Sequence, residues 1–253
     1  MKIAVPVQFV PDLVEELVVD SQGDRLDPYS IRWILNEFDD HAIEQAILLK
    51  EKYGATVCVL APDMEGADDV LFTASAKGAD QLIKIEADFE AGFNTHALTK
   101  LFEPVLAAMQ PDLILTGVQA HQSIDGSLGP QLAESLKLPF VGYVSGVSLE
   151  QDQVGVRKDY PGGLTAEMSV ELPAVLGIAA SETPPRYVPI SRVRQAMKTS
   201  QIEEETGELV MEGGPTVSRL YPPEGSDKAK MFTGTPEQIA DQLVNLLKEQ
   251  GIL

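Results

Sequence analysis

The stretch from Gly117 to Leu136, GVQAHQSIDGSLGPQLAESL, sets Gly126 and Gly129 on either side of Ser127 and Leu128, directly ahead of an amphipathic pattern. Glycines at such a turn let successive backbone N–H groups converge on one point, and a helix beginning there adds the positive end of its dipole. The guest that suits this arrangement is an anion, a phosphate before others. Spacing alone leaves a second explanation open, a glycine-rich connection shaped only by packing. Neither GxGxxG nor GxxxxGKS/T occurs, so no general nucleotide fingerprint decides between the two.

Bond-making chemistry has little to draw on. His41 and His96 fall in predicted helices and His121 in the loop, with no metal-site spacing, so surface or packing roles and no metal are expected. The acids of NEFDD, Asn36 to Asp40, have the types for general acid–base work, yet acids in a first helical turn ordinarily serve the dipole. No nucleophile elbow, S-x-x-K or Ser-His-Asp order can be assembled. No catalytic residue is expected.

The elements that must position the loop follow from periodicity. KIAVPV (2–7), ATVCVLAP, QLIKIE and PDLILTG are short apolar runs bounded by turn residues and predict buried strands. Between them, NEFDDHAIEQAILLKEKYG, GADDVLFTASAKGA and NTHALTKLFEPVLAAMQ carry helical spacing, with Gly54 as a stop and Asn94 as an N-cap. GPQLAESLKL is a fourth helix, opened by Pro130. VVDSQGDRLDP reads as a hairpin-like excursion after the first strand. Strands alternating with helices call for right-handed crossovers, so the fold class is α/β: a doubly wound, mostly parallel, Rossmann-like sheet. From FVGYVSGVSLE to LTAEMSVELPAVLGIA the helical pattern stops, predicting an antiparallel patch. SETPPRYVPISRVRQAMKTSQIEEETGELVMEGG is rich in proline and charge and reads as an extended arm. In TPEQIADQLVNLLKEQGIL, Thr235 caps, Pro236 opens, and Ile239, Leu243, Leu246 and Leu247 form a stripe that must bury against something. The expected division is a nucleotide-binding domain, 1–184, and a C-terminal arm with terminal helix, 185–253.

Composition narrows the partners. Nineteen basic against thirty-nine acidic residues leave a formal charge of −20, which repels a phosphate backbone and an anionic membrane surface. Nucleic acid is therefore not expected, nor is membrane insertion, since no apolar run approaches a span's length. The lone Cys58 lies in the apolar run TVCVL and has no disulfide partner, and the N-terminus carries no secretory h-region, so a cytoplasmic chain starting directly with structure is expected.

MKIAVPVQFVPD, the NEFDDHAIEQAILLKEK helix, AKGAD, the GVQ…G loop and PAVLGIAASETPPRYVPISRVRQAMK occur in the order found in one family. The chain resembles the β subunit of electron transfer flavoprotein, from its first residue to about Lys198 and more loosely beyond. The resemblance implies a heterodimer with an α subunit that carries the redox FAD, a dehydrogenase as electron donor and an oxidoreductase as acceptor. The β chain supports the flavin and buries an adenine nucleotide, usually AMP. By position, Pro6, Val7 and Asn36 match adenosine neighbours, and Ala61 matches the turn of the second strand. Gln119, Ser123, Gly126, Ser127 and Leu128 match the phosphate loop, and Leu13 and Phe38 match positions approaching the α-subunit flavin, where ordinary packing is the competing explanation.

Two departures matter. The Asp-Thr-x-Gln-Val-Gly pattern of members that bind a second FAD, and split electron pairs from NADH, is not matched by QSIDGSLG, although GPQLAE is similar to that group. AMP is favoured, with the bifurcating form as the alternative. Before PRY, Glu182 stands where many members place a leucine that plugs into a dehydrogenase partner, and an acid cannot fill an apolar pocket without a penalty of about a few kcal/mol. From another class, a universal-stress-type ATP/AMP-binding sensor shares the α/β layout but lacks the arm. An ATP-pyrophosphatase needs a glycine-rich loop after the first strand, and PVQFVPD contains no glycine.

Overall fold

The computed structural model describes residues 1–89, 92–150, 153–222, 229 and 231–253. β1 (Lys2–Pro6) runs into a two-stranded antiparallel excursion, β2 (Phe9–Pro11) with β3 (Trp33–Leu35), and then into α1 (Glu37–Tyr53). Between β2 and β3 the predicted hairpin closes through a Val19–Leu26 bridge. α1 ends at Gly54, whose left-handed φ of 73° lets its N–H reach the Lys50 carbonyl, the conformation for which glycine carries no Cβ penalty. β4 (Thr56–Pro62), α2 (Ala67–Lys77), β5 (Gln81–Glu86), α3 (Thr95–Met109), β6 (Leu113–Gly117) and α4 (Leu128–Leu136) complete the alternating series. Asn94 caps α3 as expected, its side chain accepting the Ala97 N–H at 2.9 Å.

The rest of the chain holds β7 (Phe140–Glu150), β8 (Gln153–Tyr160), β9 (Leu164–Glu171), β10 (Ala174–Ile178), α5 (Ile190–Thr199), β11 (Ile202–Thr206) and α6 (Pro236–Glu249). The main sheet runs β11-β5-β4-β1-β6-β10-β7-β8-β9, parallel from β11 to β7 and antiparallel from β7 to β9. Alternation along β1 sends Ile3 and Val5 into the core shared with α1 and α2, and Ala4 into the core shared with α3 and α4, so helices cover both faces. Cys58 lies in the second of these cores, where burial pushes its thiol up to about 12.

Three local expectations are corrected. α4 begins at Leu128 rather than at Pro130, because the Leu128 side chain is drawn wholly into the core. β10 is not in the antiparallel patch: all five of its residues are buried and it pairs in parallel with β6 and β7, as a strand covered on both faces must. Within the stretch read as an arm, α5 packs on α2 and β11 adds a parallel edge strand beside β5. Residues 223–228 and 230 of that arm lie outside the described residues.

Two compact units are present, Met1–Leu220 and Tyr221–Leu253. In the second, Thr235 and Gln238 form a reciprocal capping box at the start of α6. No residue of α6 is fully buried: Ile239, Leu246 and Leu247 are half-buried, while Leu243 and the neighbouring Val244 are 42% and 40% exposed.

Candidate functional site

In a doubly wound sheet the ligand cleft lies outside the carboxyl ends of the strands, where strand order reverses. Here that point falls between β1 and β6, since β4 and β5 extend the sheet from one side of β1 and β10 and β7 from the other side of β6. Three connections arrive there: the turn after β1, the start of α1 and the loop after β6.

They are tied together by one carboxylate. Asp39 is fully buried; it accepts the Gly117 N–H at 2.6 Å, the Gln8 N–H at 2.9 Å and the Asn36 Nδ2 at 3.1 Å. Asn36 also donates to the Gln119 carbonyl at 2.9 Å, and its backbone N–H reaches the Gln8 carbonyl at 3.0 Å. Burial pushes the Asp39 pKa up to about 6, against the hydrogen bonds from Gln8, Gly117 and Asn36 that pull it down. An acid in a first helical turn is expected to serve the dipole, but Asp39 is turned inward instead. The available signal was spacing: Asp39 lies three, four and seven residues before Ala42, Ile43 and Ala46, on the buried stripe of α1.

Gly117 is required by this contact. A Cβ there would stand 2.6 Å from Asp39 Oδ1 and 2.7 Å from the Phe38 Cβ. Gly117→Ala is expected to lose about 1–3 kcal/mol in a urea melt, as overpacking at a closed site does. A melt indistinguishable from the native one would show that the contact can relax.

The remaining expected residues divide. Pro6, Val7 and Ala61 are enclosed, and the Val7 N–H is held by the Leu60 carbonyl at 2.9 Å, so the first and second strand turns lie side by side. Gln119 is exposed at the mouth of the loop. Ser123 is half-buried, and Gly126 takes a φ of 102° ahead of Ser127, the N-cap of α4, whose hydroxyl does not cap the helix. Leu128 offers only backbone, its side chain being core. Phe38 is half-buried beside Gly117, whereas Leu13 stands apart on the turn after β2, 62% exposed.

The loop after β6 is also pinned to the β2 turn. His121 Nε2 donates to the Pro11 carbonyl at 3.1 Å and Gln122 Nε2 to the Phe9 carbonyl at 2.7 Å. Among the described residues, Gln8 Nε2, Gln122 Oε1 and Ser123 Oγ are buried without a protein partner. Buried polar atoms are ordinarily hydrogen-bonded, so these three carry unfilled capacity at the sheet edge. Neither the residue type nor the spacing of Gln8 and Gln122 marks them as site residues in the sequence.

A Rossmann-like α/β domain with its switch-point loops lashed around buried polar atoms belongs to the broad class of doubly wound α/β folds. The model of the electron transfer flavoprotein domain matches residues 26–208, and the chain belongs to that family. The electron transfer flavoprotein subunit beta of Bacillus subtilis is 29% identical over 245 residues, covering 94% of each chain. That of Thermoanaerobacterium thermosaccharolyticum is 29% identical over 262 residues and 100% of each chain. The caffeyl-CoA reductase-Etf complex subunit CarD of Acetobacterium woodii is 28% identical over 264 residues, again over 100% of each. The resemblance drawn from the motifs is borne out along the whole length.

Proposed function

We propose that the chain is the β subunit of a heterodimeric electron transfer flavoprotein. It holds AMP as a structural nucleotide and supports an FAD carried mainly by an α subunit, between a dehydrogenase donor and an acceptor oxidoreductase. The observation that carries the nucleotide is the set of unpartnered buried atoms, Gln8 Nε2, Gln122 Oε1 and Ser123 Oγ, at the switch point. Their chemistry fits an adenosine, which needs both donors and acceptors. Pro6, Val7, Asn36 and Ala61 shape the adenosine side; the Gly126, Ser127 and Leu128 amides with the Ser127 hydroxyl face the phosphate. Gln119 closes the mouth.

When bound, the flavin supplies one- and two-electron transfer. This chain's part is to exclude water and fix the flavin's surroundings, with Leu13 and Phe38 offering apolar surface. The exposed Leu13 on a turn and the exposed Leu243 and Val244 of α6 are surfaces a partner would cover, so α6 and the outward-facing parts of residues 185–253 that are not packed on α1, α2 and β5 are assigned to the α-subunit contact. Among the described residues no helix is long and apolar enough to cross a membrane. With a reduced, buried Cys58, a cytoplasmic site of action is proposed.

A second reading, a bifurcating β subunit holding a second FAD and using NADH, is favoured by GPQLAE and by the reductase complex named for the Acetobacterium woodii relative. The family match gives the sensor alternative no support. The test is co-expression with the α subunit, followed by the visible spectrum and the nucleotides released on denaturation. A yellow two-chain complex releasing FAD and AMP in equal amounts is expected. FAD at two per complex transfers the assignment to the bifurcating form, and a colourless monomer that binds ATP overturns both.

A further inference from the structure

Asp125 immediately precedes the Gly126–Ser127 turn, and a bare carboxylate beside that turn would repel a phosphate. Its charge is spent elsewhere. Asp125 Oδ2 accepts the His96 N–H at 3.1 Å and the His96 Nδ1–H at 2.8 Å, at the N-terminus of α3, where the helix dipole also favours an anion. Burial opposes ionisation of this carboxyl, but the hydrogen bonds from His96 and Thr95 outweigh it and hold the pKa below the ordinary range. The Asp125 side chain is 2% exposed and that of His96 37%. A second tie runs through Gln131, whose Nε2 donates to the Asp125 carbonyl at 3.0 Å while its Oε1 accepts from Thr99 of α3 at 3.2 Å.

The pair is covered from outside. Gly213 and Gly214 cross over it with left-handed φ values of 92° and 76°; a Cβ at Gly214 would stand 2.9 Å from His96 Nδ1 and 3.2 Å from Asp125 Oδ2. Asn94 Nδ2 holds this crossing by donating to the Gly213 carbonyl at 3.1 Å. The clasp is thus built by three separate segments, α3, the loop after β6 and the 207–214 stretch.

We infer that His96 is a positioning residue for the nucleotide phosphate: through Asp125 it turns the carboxylate away from the site and sets the Gly126–Leu128 amides for the anion. The inference rests on the proposed adenylate site. On the full-length chain freed of nucleotide, calorimetry with AMP and with adenosine separates the phosphate contribution from the rest. His96→Ala is expected to weaken AMP by about tenfold or more, the scale of one charge-assisted hydrogen bond, and to leave adenosine nearly unchanged. His96→Asn, whose Nδ2 takes the place of the ring Nδ1, is expected to restore AMP affinity. If His96→Ala does not yield folded protein, His96→Phe keeps the ring without the donor and carries the same comparison. A looser site in general would weaken both ligands alike and overturn the inference, as would an unchanged AMP-to-adenosine ratio or an unrescued His96→Asn. A native chain that binds no AMP overturns the adenylate reading and this inference together; native binding with an unchanged ratio overturns the inference alone.

Discussion

Asp39→Ala is expected to cost about 3–5 kcal/mol of unfolding free energy in urea melts of the full-length chain, the largest loss at any single position of the switch point. Truncation strands the Gln8 and Gly117 amides and the Asn36 side chain in a buried place, each at about 1–3 kcal/mol, with partial relief from entering water. Because the same carboxylate joins the turn after β1 to the loop after β6, nucleotide retention is expected to fall with stability. A separate signature lies in pH. Burial raises the folded pKa from 3.8 to about 6, so the native state binds the extra proton between those values. The stabilisation this carboxyl contributes is therefore fully present below about pH 4 and is lost as pH rises through about 6, by about 3 kcal/mol for the two units. Comparing the native chain with Asp39→Asn at pH 4 and pH 7.5 isolates this group from the other acids. A stability difference that stays flat across that window would show that the three hydrogen bonds hold the carboxylate ionised throughout.

The second large effect belongs to Arg186. Its Nε reaches both oxygens of Glu44, at 2.8 and 3.1 Å, its backbone N–H reaches Glu44 Oε2 at 3.0 Å, and its two terminal nitrogens reach Glu51 at 2.6 and 3.1 Å. The Glu44 side chain is 2% exposed, so Arg186→Ala leaves a buried carboxylate facing a single amide. A loss of about 2–4 kcal/mol is expected, below the range for fully enclosed pairs because water reaches the Arg186 side. Arg186→Lys should recover part of it, since one ammonium cannot span two carboxylates that a guanidinium fork bridges. The accompanying readout is proteolysis of the 181–188 segment, which Arg186 and the Glu182 N–H to Gln45 contact tie to α1. Resistance equal to that of the native chain would show that neighbouring contacts suffice to hold it.

The contrast between these two residues explains how much could be read in advance. Repeated short strands and periodic helices specified the doubly wound layout, since each rests on contacts within one element or between adjacent ones. Gly126 and Ser127 were legible because turn chemistry is local. Asp39 carried a local signal too, an acid on an apolar stripe, but its partners lie 31 and 78 residues away and appear only when the sheet is assembled. Glu44 and Arg186 are 142 residues apart, and neither helical spacing nor the proline-rich context of PPRY announces a pairing across that distance. The same holds for His96 with Asp125, and for β10, which takes its place between β6 and β7 only after the chain has built β7, β8 and β9 outward along the sheet and come back. Unfilled capacity at Gln8, Gln122 and Ser123 is a property of the assembled cleft and has no counterpart in the linear string.

One of the two margins of the sheet carries its own safeguard. β11 is the edge strand on this side, β9 on the other, and three consecutive glutamates, Glu203, Glu204 and Glu205, stand exposed along β11, Glu204 with Lys84 at 3.5 Å. An unpaired strand margin is a template for cross-β recruitment of another chain, and like charges stacked at strand spacing repel a second copy of the same segment. Concentrated solutions should therefore resist fibril growth from this side, and neutralising the three acids would remove that protection without touching the nucleotide cleft.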